Sequence, residues 1–233
     1  MKLEGKFECA NFLRRPNRYL AFVNLENSQK EVAVHVPDPG RLKELLLPKT
    51  VVLVRQENGQ NRKTKYTMVG VKKDEIWVNI ESAFSNRIFQ SEYKKISSLK
   101  NYEIVKAEYT FGKSRIDFLM KNKNNEDVLV EVKGVSLVEN GHALFPDAPT
   151  ARGAKHVKEL QEAVLQGWEA IIVFIIRRED ASRFSSHKGI DPKFTEQLIE
   201  AQEKGVKIIA VSCKYDPLEK KEISIIKEVP VIL

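Results

Sequence analysis

The chain has 233 residues, 42% of them hydrophobic and 30% charged, with a formal net charge of +7 at pH 7. That length can build one large or two small cores, and no apolar run approaches the roughly 20 residues of a membrane-spanning helix. Two cysteines, Cys9 and Cys213, stand in no metal-binding spacing, which argues against structural zinc and for free thiols in a reducing compartment.

The start, MKLEGKFECANF, lacks the apolar core of a secretion signal, so the expected location is cytoplasmic, with no membrane partner. Residues 1–82 hold 15 Lys and Arg against 10 Asp and Glu; residues 83–233 hold 24 against 22. The basic excess lies in the first third, where an acidic polymer would be gripped.

Residues 1–82 read as short strands: Lys6 to Asn11, Tyr19 to Leu25, Glu31 to His35, Thr50 to Arg55, Tyr66 to Lys72 and Glu75 to Asn79. Turn residues such as Asn27-Ser28 and Asn58-Gly59 separate them at even spacing, the pattern of a small barrel or sandwich. Between the third and fourth strands, Arg41 to Leu47 (RLKELLL) has helical spacing, with Leu42, Leu45 and Leu46 on one face and Pro48 closing it. A helix at that place in a barrel is an OB-fold feature. The preceding corner, Pro37-Asp38-Pro39-Gly40-Arg41, is expected to be rigid, with Asp38 as an N-cap and Arg41 offered to phosphate at the helix start.

Basic clusters stand out: Arg14, Arg15 and Arg18, then Arg55, then Arg62, Lys63 and Lys65 in the loop Gln56 to Lys65. Tyr19 and Tyr66 stand beside them at strand starts. Such aromatics can stack bases while the cations hold the phosphate backbone; Phe22 and Trp77 read as barrel core instead.

Residues 83–233 alternate helices and apolar strands, the mark of an α/β sheet domain. Residues 83–95 fit a helix with Phe84, Ile88 and Phe89 inward, and Tyr102 to Thr110 a first strand. Ser114 to Lys133 reads as a hairpin turning over Asn122 to Asp127. Glu131 and Lys133, two apart, share a strand face, and the turn brings Asp117 opposite them. Two close carboxylates call for a cation, and hard oxygen donors suit Mg²⁺ or Mn²⁺. Such an ion stabilises a phosphoryl group and acidifies a water, which Lys133 can orient. The bland alternative is a solvated ion pair, but VLVEVKG is otherwise too apolar for an unexplained charge pair. Glu108 is a further candidate acid, and Arg115, two residues before Asp117, a candidate phosphate contact.

Val135 to Thr150 reads as a loop. Thr150 caps a helix Ala151 to Gly167 that buries Val157, Leu160 and Val164 and shows Arg152, Lys155 and His156 on its other face. His156 reads equally as a surface or a catalytic histidine. Glu169 to Arg177 is a doubly buried strand, and Arg178 to Asp191 a mobile connection, with DNA contact as its alternative. Pro192 to Lys204 is a helix, Val206 to Cys213 a strand and Glu222 to Lys227 an edge strand. No GxGxxG or Walker loop appears, which argues against a nucleotide-cofactor enzyme.

Asp on one strand and ExK on the next resembles the PD-(D/E)xK nuclease core. HVPDPGRLKELL (35–46), SRIDF (114–118), EVKG (131–134) and FPDAPTARGAKHVKEL (145–160), in this order, resemble the sugar fermentation stimulation protein A (SfsA) family over nearly the whole chain. Ile116 stands where the core's name has proline. The resemblance implies an α+β, two-domain protein: an N-terminal OB-like β-barrel (1–82) and a nuclease-like mixed-sheet α/β domain (83–233). It also implies DNA binding. In that reading Asp117 and Glu131 hold Mg²⁺ or Mn²⁺, and Asp117, Glu131, Lys133 and Glu108 carry catalysis. Arg14, Arg15, Arg18, Tyr19, Arg41, Arg62, Lys63, Lys65, Arg115, Arg152, Lys155 and His156 touch nucleic acid. The alternative is a non-catalytic DNA-binding regulator of sugar metabolism genes. The sequence leaves open strand type and whether the chain forms a homodimer.

Overall fold

Six strands form first in the computed structural model, which describes every residue except Gln29, Gln60, Asn61 and Lys113. They are β1 (Phe7–Asn17), β2 (Leu20–Leu25), β3 (Glu31–His35), β4 (Val51–Gln56), β5 (Tyr66–Lys73) and β6 (Ile76–Asn79). Antiparallel pairing in the order β3-β2-β1-β4-β5 is closed by a parallel contact of β3 with β5, at Val34↔Tyr66 and His35↔Thr67. The result is a five-stranded barrel. Its core is the inward set of each alternation, including Ala10, Phe12, Val23, Val34, Val52 and Val54. Register shifts in β1 at Phe12/Arg14 and Arg14/Asn17 supply the bend that closure needs.

The expected helix at 41–47 does not form. Seven residues are too few to hold a helix by themselves. Leu42 takes a positive φ of 49°, and only one turn closes, with Leu46 N–H donating to Leu42 O at 2.9 Å. The apolar spacing was real: Leu42 and Leu45 plug the barrel at 1% exposure each. Asp38 is therefore no helix cap. One oxygen accepts from Gly40 N at 2.8 Å, and the other meets Arg177 at 2.6 Å.

The second unit holds α1 (Phe84–Glu92), β7 (Glu103–Phe111), β8 (Ser114–Lys121), β9 (Asp127–Val135), β10 (Val138–Glu139), β11 (His142–Phe145), α2 (Ala151–Leu165), β12 (Glu169–Ile176), β13 (Arg183–Ser186), α3 (Pro192–Glu203), β14 (Lys207–Asp216) and β15 (Glu222–Glu228). Strands β9, β12 and β14 are parallel, while β8, β7 and β15 run antiparallel to their neighbours. Trp77 of β6 meets Tyr215 of β14, so one sheet runs on from the barrel into this unit. One face packs α1 through Phe84, Ile88 and Phe89 against Phe118, Val130 and Val132. The other packs α2 and α3 through Val157, Leu160 and Phe194 against Leu129, Ile172 and Phe174. Met1 and Leu3 join the α1-side core, and the Met1 amino group bonds Glu92 at 2.8 Å.

Two stretches read as irregular are structured. Residues 135–150 contain β10 and β11, and β13 inside 178–191 pairs with β11 in parallel. Ala143 and Phe184, both fully buried, anchor this small sheet, but runs of two to four residues give no periodicity to read. The second stretch is not a mobile connection: Arg178, 2% exposed, clamps Asp180 and the Ser136 carbonyl.

Candidate active site

The β8–β9 hairpin turns where expected. Asn122 Oδ1 accepts from the N–H groups of Asn124 and Glu126, and Asn125 takes the left-handed conformation at φ 64°. Pairing runs back from Lys121↔Asp127 to Phe118↔Val130, and there the ladder stops. At the next position Asp117 Oδ2 takes the Val132 N–H at 2.8 Å, so a side chain replaces the partner strand's backbone. Ile116 joins the α2-side core and Phe118 the α1-side core, so the strand turns over at Asp117. The other Asp117 oxygen accepts from Asn86 of α1 at 2.7 Å.

Glu131 is 2% exposed. Its Oε1 takes both Lys133 Nζ and His156 Nδ1, while Oε2 is buried with no hydrogen-bond partner among the described residues. His156 lies on the inner face of α2, not on the outer face expected of it, because its ring is drawn in to Glu131; the start of the helix is fixed by Thr150 Oγ1 accepting from Gly153 N at 3.0 Å. Burial, then the charge of Glu131, push the Asp117 carboxyl above its ordinary value, against the pull of Val132 N–H and Asn86. Burial also pushes Glu131 up, but the bond to His156 and the charge of Lys133 outweigh it and hold that carboxyl below its usual range. Two like charges at a strand divergence, one with an orphaned buried oxygen, suit a hard cation. Among the described residues no three His, Cys, Asp or Glu side chains form a metal-holding group. A cation here would therefore draw two protein carboxylates and complete its shell from outside, the habit of Mg²⁺.

The other candidates are placed differently. Glu108 stands opposite Asp117 in the β7–β8 register, but at φ 54° its exposed carboxylate turns to Arg115 at 3.5 Å. Arg115 thus faces Glu108 rather than Asp117. Arg14 is taken by Glu31 at 2.6 Å and lies 4.0 Å over the Phe22 ring. Arg15 is half-buried and donates to the carbonyls of Arg18, Asp38, Gly40 and Arg41, so it builds the corner as well as lining a groove beside Arg18 and Arg41. Arg55 is held between Glu57 and Glu81. Arg62 spans Thr67 at 2.8 Å and Glu57 at 4.0 Å.

Arg18, Tyr19, Arg41, Lys63, Lys65, Arg152 and Lys155 are exposed, Lys155 with Glu159 at 3.7 Å. Gln60 and Asn61 of the basic loop lie outside the described residues. Tyr19 and Lys63 border one shallow groove, and Arg18 and Arg41 a second that adjoins the start of α2 at Pro149. Asn86 and Arg177 were missed by sequence reading. Asn86 had no local signal, and Arg177 only its improbable place at the end of an apolar strand.

Residues 83–219 match the family model described as Sugar fermentation stimulation protein RE domain, and residues 13–80 match the SfsA N-terminal OB domain. This chain belongs to the SfsA family. A sugar fermentation stimulation protein homolog of Clostridium acetobutylicum is 43% identical over 235 residues, covering 100% of each chain. A Clostridium kluyveri homolog is 45% identical over 206 residues, covering 88% of this chain and 89% of its own. The solved structure of Pyrococcus furiosus SfsA in complex with Ca²⁺ superposes with a TM-score of 0.88 at 30% identity, covering 100% of both chains. The SfsA RE-domain match encloses Asn86, Asp117, Glu131, Lys133 and His156. The OB-domain match encloses Arg18, Tyr19, Arg41, Lys63 and Lys65. Among the described residues no helix is long and apolar enough to cross a membrane.

Proposed function

We propose that this chain binds DNA and cleaves it at a divalent-cation-dependent phosphodiesterase site. The observation that carries the proposal is the buried Asp117–Glu131 pair, with Glu131 Oε2 left without a partner beside Lys133. Asp117 and Glu131 would hold Mg²⁺ or Mn²⁺, which supplies charge for the phosphoryl group and acidity for a water. Lys133 orients the attacking water and steadies developing charge. His156 and Asn86 hold the two carboxylates in register. The complex of Pyrococcus furiosus SfsA with Ca²⁺, another hard oxygen-seeking cation, supports a divalent-cation reading. Exposed Arg18, Arg41, Lys63, Lys65 and Tyr19 support a nucleic-acid strand crossing the barrel.

A second reading has its own observation. Lys133 Nζ and His156 Nδ1 already sit on Glu131 Oε1, so that oxygen has side-chain partners without a metal. That arrangement favours a DNA-binding regulator of sugar metabolism genes that does not cut.

Cleavage of single-stranded and duplex DNA with Mg²⁺ or Mn²⁺, by wild type and Asp117→Ala side by side, separates the two. We expect the variant to lose at least about a hundredfold in rate while still folding cooperatively. No cutting by either protein, with salt-sensitive binding by both, selects the regulator.

A further inference from the structure

At the junction of barrel and sheet domain lies a cavity of about 180 Å³, lined among others by Asp38, Gly134, Leu144, Phe145, Asp147 and Arg177. It begins one residue past Lys133 on β9, at the carboxyl ends of β9 and β12, where sheets of this kind seat ligands. Arg177 is 2% exposed, and among the described residues one of its three nitrogens is used, by Asp38 at 2.6 Å. Nε and Nη1 are buried without a partner. Asp147 spends one oxygen on the Arg41 N–H at 3.0 Å. The space depends on glycine: a Cβ at Gly40 would collide with Asp147, and one at Gly134 with Ser85.

The chemistry of the walls selects the occupant. The carboxyl groups of Asp38 and Asp147 face the same space as the guanidinium, which disfavours a further anion such as a phosphate. Unpartnered Arg177 N–H groups want an acceptor, and the carboxylates of the wall, with lone pairs beyond the bonds they already take, can accept from a donor. A nucleobase carries both on its edges, and Phe145 offers its face an aromatic neighbour. The volume lies below the roughly 300–1,000 Å³ of drug-sized sites, the scale of one heterocycle. Arg18 and Arg41 border the groove on the other side of Pro39 and Gly40, where the backbone of the same strand can lie.

We propose that this cavity seats one unstacked base of the bound strand and so sets which phosphate reaches Asp117 and Glu131; the inference rests on the DNA reading above. The test is a set of otherwise identical single-stranded oligonucleotides, each with one abasic site at a successive position, bound to the full chain with Ca²⁺ and read by fluorescence anisotropy. With wild type, affinity falls about tenfold or more at one position only. Leu144→Trp fills the cavity and erases that dip, and Asp147→Asn, which keeps the volume, shrinks it or changes which base is preferred. Equal affinity at every position, or a dip that both variants leave untouched, overturns the seat while leaving DNA binding intact. Failure to bind any oligonucleotide overturns the DNA reading and the seat with it.

Discussion

Two pairs of acids share this molecule, and they are built in opposite ways. Asp117 and Glu131 belong to one hairpin, and their partners Lys133, Asn86 and His156 all come from the sheet domain. Asp38 and Asp147 come from different domains and meet only because Arg177 and the Arg41 N–H hold them there. In the first pair the carboxylates crowd each other and one oxygen goes unused. In the second, it is the cation whose buried N–H groups go without a partner among the described residues. A site with surplus acceptors suits a metal ion, and a site with surplus donors suits an organic ligand. The two lie within a few residues of each other along β9.

The largest expected effect tests that contrast in stability. Arg177→Met leaves Asp38, 6% exposed, as a buried charge without its partner, and should cost about 3–5 kcal/mol in urea unfolding. Asp117→Asn removes a charge that the metal-free protein holds at a disadvantage, and the Asn86 amide can turn to meet the new side chain. Its expected cost is under about 1 kcal/mol. Equal losses would mean that the hairpin pair is as structural as the junction pair.

A smaller effect separates the arginines. Arg18→Ala and Lys63→Ala should each lower the slope of log affinity against log salt by about 1 while leaving the melting curve alone. Arg15→Ala should do the reverse: its four carbonyl contacts make it worth about 1–3 kcal/mol of stability, with the slope unchanged. Matching salt slopes for Arg15 and Arg18 would return Arg15 to the binding surface.

The same contrast explains what the sequence could tell. Glu131 and Lys133 share a face by the period of a strand, and the Asn-rich turn fixes Asp117 across from them. The hairpin was therefore legible from a stretch of twenty residues. His156 was visible only as one candidate on the next helix, since nothing local says that α2 points it inward. The barrel was legible from alternation and even turns. The turn at Leu42 was not, because Leu42 and Leu45 keep helical spacing while filling a barrel end. The structural part of Arg15 was hidden for the same kind of reason: its sequence neighbours are other cations, and the carbonyls it holds, at Asp38, Gly40 and Arg41, lie more than twenty residues away. The pairing of Asp38 with Arg177 spans 139 residues, a separation at which periodicity carries no signal.

The smallest effect lies in pH, at the junction acid. Burial first, then the charge of Asp38, push the Asp147 carboxyl above its ordinary value, so folding favours its protonated form. The stability this contributes is complete below the unfolded value of about 3.9 and is lost as pH rises through the folded value. Asp147→Asn cannot ionise and can still accept the Arg41 N–H. Relative to wild type, the variant should therefore gain stability from acid toward neutral pH and hold that gain above the folded value. Melting temperatures of both proteins across that range measure it. A variant that loses ground as pH rises would show that Arg177 uses the charge of Asp147 to offset its own burial. The junction would then be a closed ion network with no donor left for a ligand.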